Sequence, residues 1–157
     1  MDLFYSLWAM LIGSFIIQFI VMSLIMTNVV DNITLSVGKF YISVIMALLM
    51  GLLEVGMHDY NAQMLHHQHD FSLPYYLSLG FALAVFGYLY RNQMYITDKD
   101  YLNEMIEHHS MALLTSNEIL QKTQSERVRK LADNIVSTQE AEIKYMKQLL
   151  NEMVETD

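Results

Sequence analysis

The sequence predicts an all-α membrane protein, and three observations carry that expectation. Three apolar stretches with almost no charge occupy the first ninety residues. Behind them, residues 97–157 contain neither Gly nor Pro, and their apolar residues recur at helical spacing. Between the two regions, at Arg91, the composition changes abruptly. The expected architecture is a membrane domain of three transmembrane helices over residues 1–92, followed by a soluble two-helix hairpin over residues 97–157.

Leu3 to Met26 is uncharged for about two dozen residues, enough to cross a hydrocarbon core of ~30 Å. It has no basic leader and no small-residue cleavage site, so it reads as a permanent span rather than a signal peptide. Asn28 to Gly38, with Asp31 and Asn32, is a short polar connection. The second span covers about residues 40–57 and carries one acid, Glu54. His58 to Ser72 reads as a polar loop, and Pro74 suits the first turn of the next helix. The third span covers about residues 73–90, with Tyr75, Tyr76, Tyr88 and Tyr90 at its two ends as interfacial anchors.

In the hairpin, Thr97 or Asp98 can cap the first helix, and Asp98 and Asp100 favour its amino-terminal dipole. Its stripe runs Leu102, Met105, Ile106, His109, Ala112, Leu113, Ile119 and Leu120. Gln121 to Ser125 forms the break, with Ser125 as the next cap. The second stripe runs Val128, Leu131, Ala132, Ile135, Gln139, Glu142, Met146, Leu149, Leu150 and Met153. One hairpin cannot cover both stripes, so a second is expected, most simply from another copy of the chain.

Charge and composition exclude several functions. The net charge of −8 divides into about −4 on either side of Arg91, so no basic face exists for nucleic acid. With no cysteine, a transition-metal site must rest on His, carboxylate and Met, of which there are six His and thirteen Met. No Gly-rich phosphate loop and no Ser/His/Asp arrangement is present, and no enzymatic activity is expected.

Three polar constellations remain. The first is His108-His109. With residue 123 as the centre of the turn, His108 lies level with Thr138, which brings Gln139 and Glu142 near the His pair and Met105. Adjacent helical residues diverge by about 100°, so both rings rarely serve one ion. His109 shares the stripe with Met105 and Ala112 and is expected to point inward, with His108 towards an interface or Glu104. Either a metal or a hydrogen-bonded His–Gln–Glu network would satisfy these groups. The second constellation is the loop with His58, Asp59, Met64, His66, His67, His69 and Asp70, a metal-exchange site or a solvated polar loop. The third is one face of span two, with Met46, Met50, Glu54, Met57 and His58. It reads as a Met-lined path, or as ordinary Met packing below a Glu that reaches the headgroups.

The runs Asp100-Tyr101, Met105-Ile106-Glu107-His108-His109-Ser110-Met111-Ala112, Arg127 to Ala132, and Gln139-x-x-Glu142-Ile143-x-x-Met146 resemble family 305 of the domains of unknown function. The resemblance covers about residues 97–153, and weakly the whole chain through members with three spans ahead of one hairpin. It implies half of a ferritin-like four-helix bundle, completed by oligomerisation. It also implies an exported or membrane-tethered protein, and metal binding at His108, His109, Met105, Met111, Gln139, Glu142 and Met146. One departure stands out: the family usually has Pro between Ile106 and His108, where this chain has Glu107. The di-iron Glu-x-x-His pattern is absent, because Glu104 lies four residues before His108.

Imidazole and thioether donors without thiolate suit copper, especially Cu(I). The expected function is therefore a non-enzymatic, copper-binding protein anchored in membrane lipid as a multi-pass homo-oligomer. The rival is a structural or assembly protein of a cellular or viral membrane whose His pair serves helix packing. A metal transporter is a third reading, resting on Glu54 alone. Lys39 and Arg91 flank one side, which favours a cytoplasmic hairpin. The resemblance favours an extracytoplasmic one, and the latter is the expectation adopted.

Overall fold

The computed structural model describes residues 3–27, 29–65 and 72–156. Among these residues the regular structure is helical, dominated by five helices: α1 Leu3–Met26, α2 Val37–Met64, α3 Leu73–Arg91, α4 Asp98–Lys122 and α5 Glu126–Thr156. Helices α1, α2 and α3 are long and apolar enough to cross a membrane. At 1.5 Å per residue α1 extends about 36 Å and α3 about 28 Å, close to the ~30 Å that a bilayer core requires. The chain divides into two compact units, Met1–Val21 with Lys39–Tyr95, and Met22–Gly38 with Ile96–Asp157. A π-helical turn at Ile17–Val21 lies where α1 passes from the first unit to the second.

In the first unit, Leu3, Leu7, Leu48, Val55 and Leu79 form the core. Gly51 allows α1 and α2 to approach closely, because a Cβ there would collide with the side chain of Leu11. Apolar side chains such as Ile12, Leu53, Leu77 and Phe81 point outward, as lipid-facing residues should. Asp59 caps the start of α3, accepting from the Ser72 hydroxyl at 2.6 Å and from its amide at 3.2 Å. Helix α2 runs well beyond the apolar stretch expected over 40–57. His58 to Met64 contains no Gly or Pro, so the helix continues although its hydropathy has ended. His58 and Met64 are therefore helical, not part of a loop.

The second unit is the hairpin together with residues 22–38, which lie along α4 as a strap. Thr97 caps α4 through a capping box with Asp100. At the hairpin turn, Arg129 donates to the carbonyls of Leu120 and Thr123, satisfying the open end of α4. Leu102, Ile106, Leu113, Ile143 and Met146 are buried between the helices, with Met105, Val136, Leu149, Leu150 and Met153 packed around them.

The strap is held almost entirely by polar groups of α4. The Glu107 carboxylate accepts from the Ser23 hydroxyl at 2.5 Å and from the Thr34 amide at 3.0 Å. The Thr34 hydroxyl donates to the Asn103 carbonyl at 2.6 Å. Asp100 accepts from the Val37 amide at 3.2 Å, satisfying a donor in the first turn of α2. Gly38 lies against the Glu104 carboxyl, in space that a side chain would fill. Asn32, 4% exposed, donates to the Ser110 hydroxyl and accepts from the Lys147 ammonium of α5. The expected polar connection between spans one and two is thus an integral layer of the hairpin unit.

Glu107→Ala should release this layer, since charge-assisted hydrogen bonds contribute about 1.5–3 kcal/mol. Hydrogen exchange at the Thr34 amide should accelerate by roughly tenfold or more. Unchanged protection at Thr34 would contradict the contact.

Candidate functional site

The hairpin register is marked by a polar pair that joins α4 to α5. His109, 9% exposed, brings Nε2 to 2.8 Å from Glu142 Oε2, across 33 residues of sequence. An ionised carboxylate only accepts, so Nε2 carries the proton and donates. In the neutral ring Nδ1 then keeps its lone pair, and this atom is buried with no hydrogen-bond partner among the described residues. Antiparallel packing in that register puts Met105 of α4 level with Met146 of α5, one turn from the pair. Both methionines belong to the same core cluster. Imidazole and thioether side chains are donor types that suit a soft cation.

The inward turn of His109 agrees with the stripe, and so does its proximity to Glu142. The remaining expected ligands are distributed elsewhere. His108 is exposed, and its ring centroid is 6.4 Å from that of His109. Together with Met111, it lines an open cavity of about 370 Å³ whose other walls include Ile25 and Met26 of the strap. Gln139 lies one turn nearer the hairpin loop than Glu142, because the pairing of 109 with 142 shifts the register from one centred on residue 123. Helix α4 continues to Lys122 and α5 begins only at Glu126, which moves the centre of the turn towards the carboxyl terminus. Among the described residues no three His, Asp or Glu side chains converge to hold a metal ion.

On α2, Met57 and Met64 are exposed, while Met50, Glu54 and His58 are half-buried. His58 Nδ1 lies 3.7 Å from Asp59 Oδ1, but that carboxylate already caps α3. His66, His67, His69 and Asp70 lie outside the described residues.

The residues that sequence reasoning missed are the strap anchors Asp100, Asn103, Glu104, Glu107 and Ser110. Their spacings of three, one, three and three place them on one side of α4. That spacing was the available signal, although it equally suits a solvated face. Burial against the strap pushes the Glu104 carboxyl above its ordinary range. Glu107 and Asp100 reinforce this, and His108 opposes it. Asp100 moves the other way, held low chiefly by its hydrogen bond with the Thr97 side chain.

Fold and site together define a helical hairpin, in which a buried imidazole meets an exposed carboxylate, attached to helices of membrane-crossing length. Residues 89–153 match the family described as Domain of unknown function (DUF305). Over 70 residues the chain is 41% identical to "Uncharacterized protein L153" of Acanthamoeba polyphaga mimivirus, covering 45% of this chain and 46% of that protein. The chain thus matches about half the length of this relative. No solved structure is significantly similar to it.

A carboxyl held above its ordinary value of 4.5 binds its proton more tightly in the folded state. Its stabilising contribution is present below the ordinary value and lost as the pH rises through the raised one. Glu104→Gln should therefore raise the thermal midpoint of the purified protein at pH 7. The gain should close as the pH falls below 4.5. A variant less stable than wild type at pH 7 would show that the ionised carboxylate serves the strap.

Proposed function

We propose that the protein is a membrane-anchored, non-enzymatic copper-binding protein that self-associates through its hairpin. The observation that carries this reading is the buried His109 ring, with Nε2 held by Glu142 and Nδ1 unpartnered. Metal-ligating histidines commonly donate their second ring N–H to a carboxylate, which fixes the tautomer and strengthens the ligand. On this reading Nδ1 is the ligating atom, Glu142 orients the ring, and Met105 and Met146 supply thioethers. Such donors favour Cu(I) over zinc or magnesium. His108 and Met111 are outside this set.

Self-association is supported by the face of the hairpin away from the strap. Glu142 lies on that side of α5 with Leu131, Ile135, Leu149 and Met153, and Leu131 is 60% exposed. A second hairpin placed there would cover these residues and bring a second His109–Glu142 pair close to the first.

Multi-pass insertion is supported by the strap. A chain that crosses the bilayer three times places the connection after α1 and the hairpin after α3 on one side. The contacts between the strap and α4 agree with this placement. We place that side outside the cytoplasm, as the resemblance implies. Only Lys39 and Arg91 speak against it.

An assembly protein of a cellular or viral membrane is the second reading. The His109–Glu142 bond favours it too, because the bond fixes hairpin register without any metal.

Copper titration of detergent-purified protein separates the two. Copper affinity should fall most in His109→Ala, least in His108→Ala and to an intermediate degree in Glu142→Gln, whose amide oxygen still accepts from Nε2. Loss of helicity in metal-free His109→Ala, with copper titration unchanged, would identify a packing device. For topology, the absence of native cysteine allows single-Cys labelling at Gln63 and Ser125. An impermeant reagent should reach only Ser125→Cys in intact cells. Reaction at both positions would refute three crossings.

A further inference from the structure

Asn32 lies in the short 3-10 turn Val30–Asn32 of the strap, on the side of the hairpin away from Glu142. Its amide bridges the two helices. Nδ2 donates to Ser110 Oγ of α4 at 3.1 Å, and Oδ1 accepts from Lys147 Nζ of α5 at 2.5 Å. Both partners adjoin members of the proposed donor set: Ser110 follows His109, and Lys147 follows Met146. Ser110 is completely buried, so an amide withdrawn from it leaves a polar cavity in a closed core. Two cross-helix polar ties therefore hold neighbouring levels of the hairpin from opposite sides. The His109–Glu142 bond closes one side, and the Ser110–Asn32–Lys147 bridge closes the other.

We infer that Asn32 is a positioning residue for the His109 centre, pinning α4 and α5 at the spacing that holds the ring against Glu142. The inference rests on the reading of His109 as a ligand, and it couples that ligand to the segment leaving the first long helix. Glu107 also anchors the strap, bound to Ser23 and Thr34 on either side of Asn32. This acid stands where the resembling family usually has Pro, which has no side chain able to accept these bonds.

The test uses the full chain in detergent with ring-15N-labelled histidine. His109 Nε2 and Nδ1 shifts are followed in metal-free protein, and Cu(I) affinity is measured by competition with a chelator. Asn32→Ala should move the His109 resonances and weaken Cu(I) about tenfold, the lower end for loss of an outer-shell partner. Asn32→Asp should restore both, because its carboxylate can accept from Lys147 and from the Ser110 hydroxyl. Lys147→Met, which keeps the buried amide and removes only the α5 tie, should reproduce the Asn32→Ala shifts if Asn32→Ala fails to fold. Thr34→Val loosens the strap without touching the bridge and should leave the His109 shifts in place. Unchanged shifts in Asn32→Ala or Lys147→Met, or equal shifts in Thr34→Val, would overturn the pinning role. If wild type binds no Cu(I), the copper reading fails, while the metal-free shifts still decide whether Asn32 positions the ring.

Discussion

Two amphipathic helices joined by a three-residue turn can slide along each other, since an apolar stripe tolerates displacement by a turn. The bond from His109 to Glu142 removes that freedom, because a buried imidazole displaced from its carboxylate would lose that hydrogen bond. Everything else about the hairpin follows from this level. Met105 faces Met146, Arg129 reaches the last carbonyls of α4, and Lys147 comes within reach of the strap. Without the polar pair, the same stripes would specify a helix pair but not one particular alignment.

The sequence was informative where a single physical variable decides the outcome. Hydropathy marked the three long apolar helices, and helical periodicity marked the hairpin, its cap at Thr97 and its break near Thr123. The divergence of adjacent helical side chains identified His109 as the inward ring. It was less informative where two variables separate. In α2 the hydropathy ends near Met57 while the helix continues to Met64, since nothing in His58 to Met64 breaks a helix. The strap was illegible for another reason. Asp100, Asn103, Glu104 and Glu107 have the composition of a wetted surface, and only their long-range partners, Ser23, Asn32, Thr34, Val37 and Gly38, reveal that they are covered.

The division of the expected ligands follows from the same geometry. The resemblance implies seven ligands on the hairpin, but α4 distributes its own over different faces. His109 and Met105 turn towards α5, while His108 and Met111 line a cavity with Ile25 and Met26. Adjacent histidines in a helix are thus two separate chemical environments. One is buried and held by Glu142, and the other is exposed beside the cavity. Glu107 has a comparable double meaning. In the sequence it is a departure from the resembling family, and its partners make it a mooring for the strap.

The strap also imposes an order on assembly. Its polar partners lie between 63 and 115 residues further along the chain, so it leaves the ribosome long before the hairpin that receives it. For a chain inserted three times, this pairing forms last, after α2 and α3 are in place, and it carries the large loop-closure cost of non-local contacts. A chain with one helix left uninserted would strand the strap across the bilayer from α4. Glu107 and Asn32 would then face no complementary groups. On a threefold crossing, closure of this layer would mark a correctly threaded molecule, and an open one would expose the polar seam.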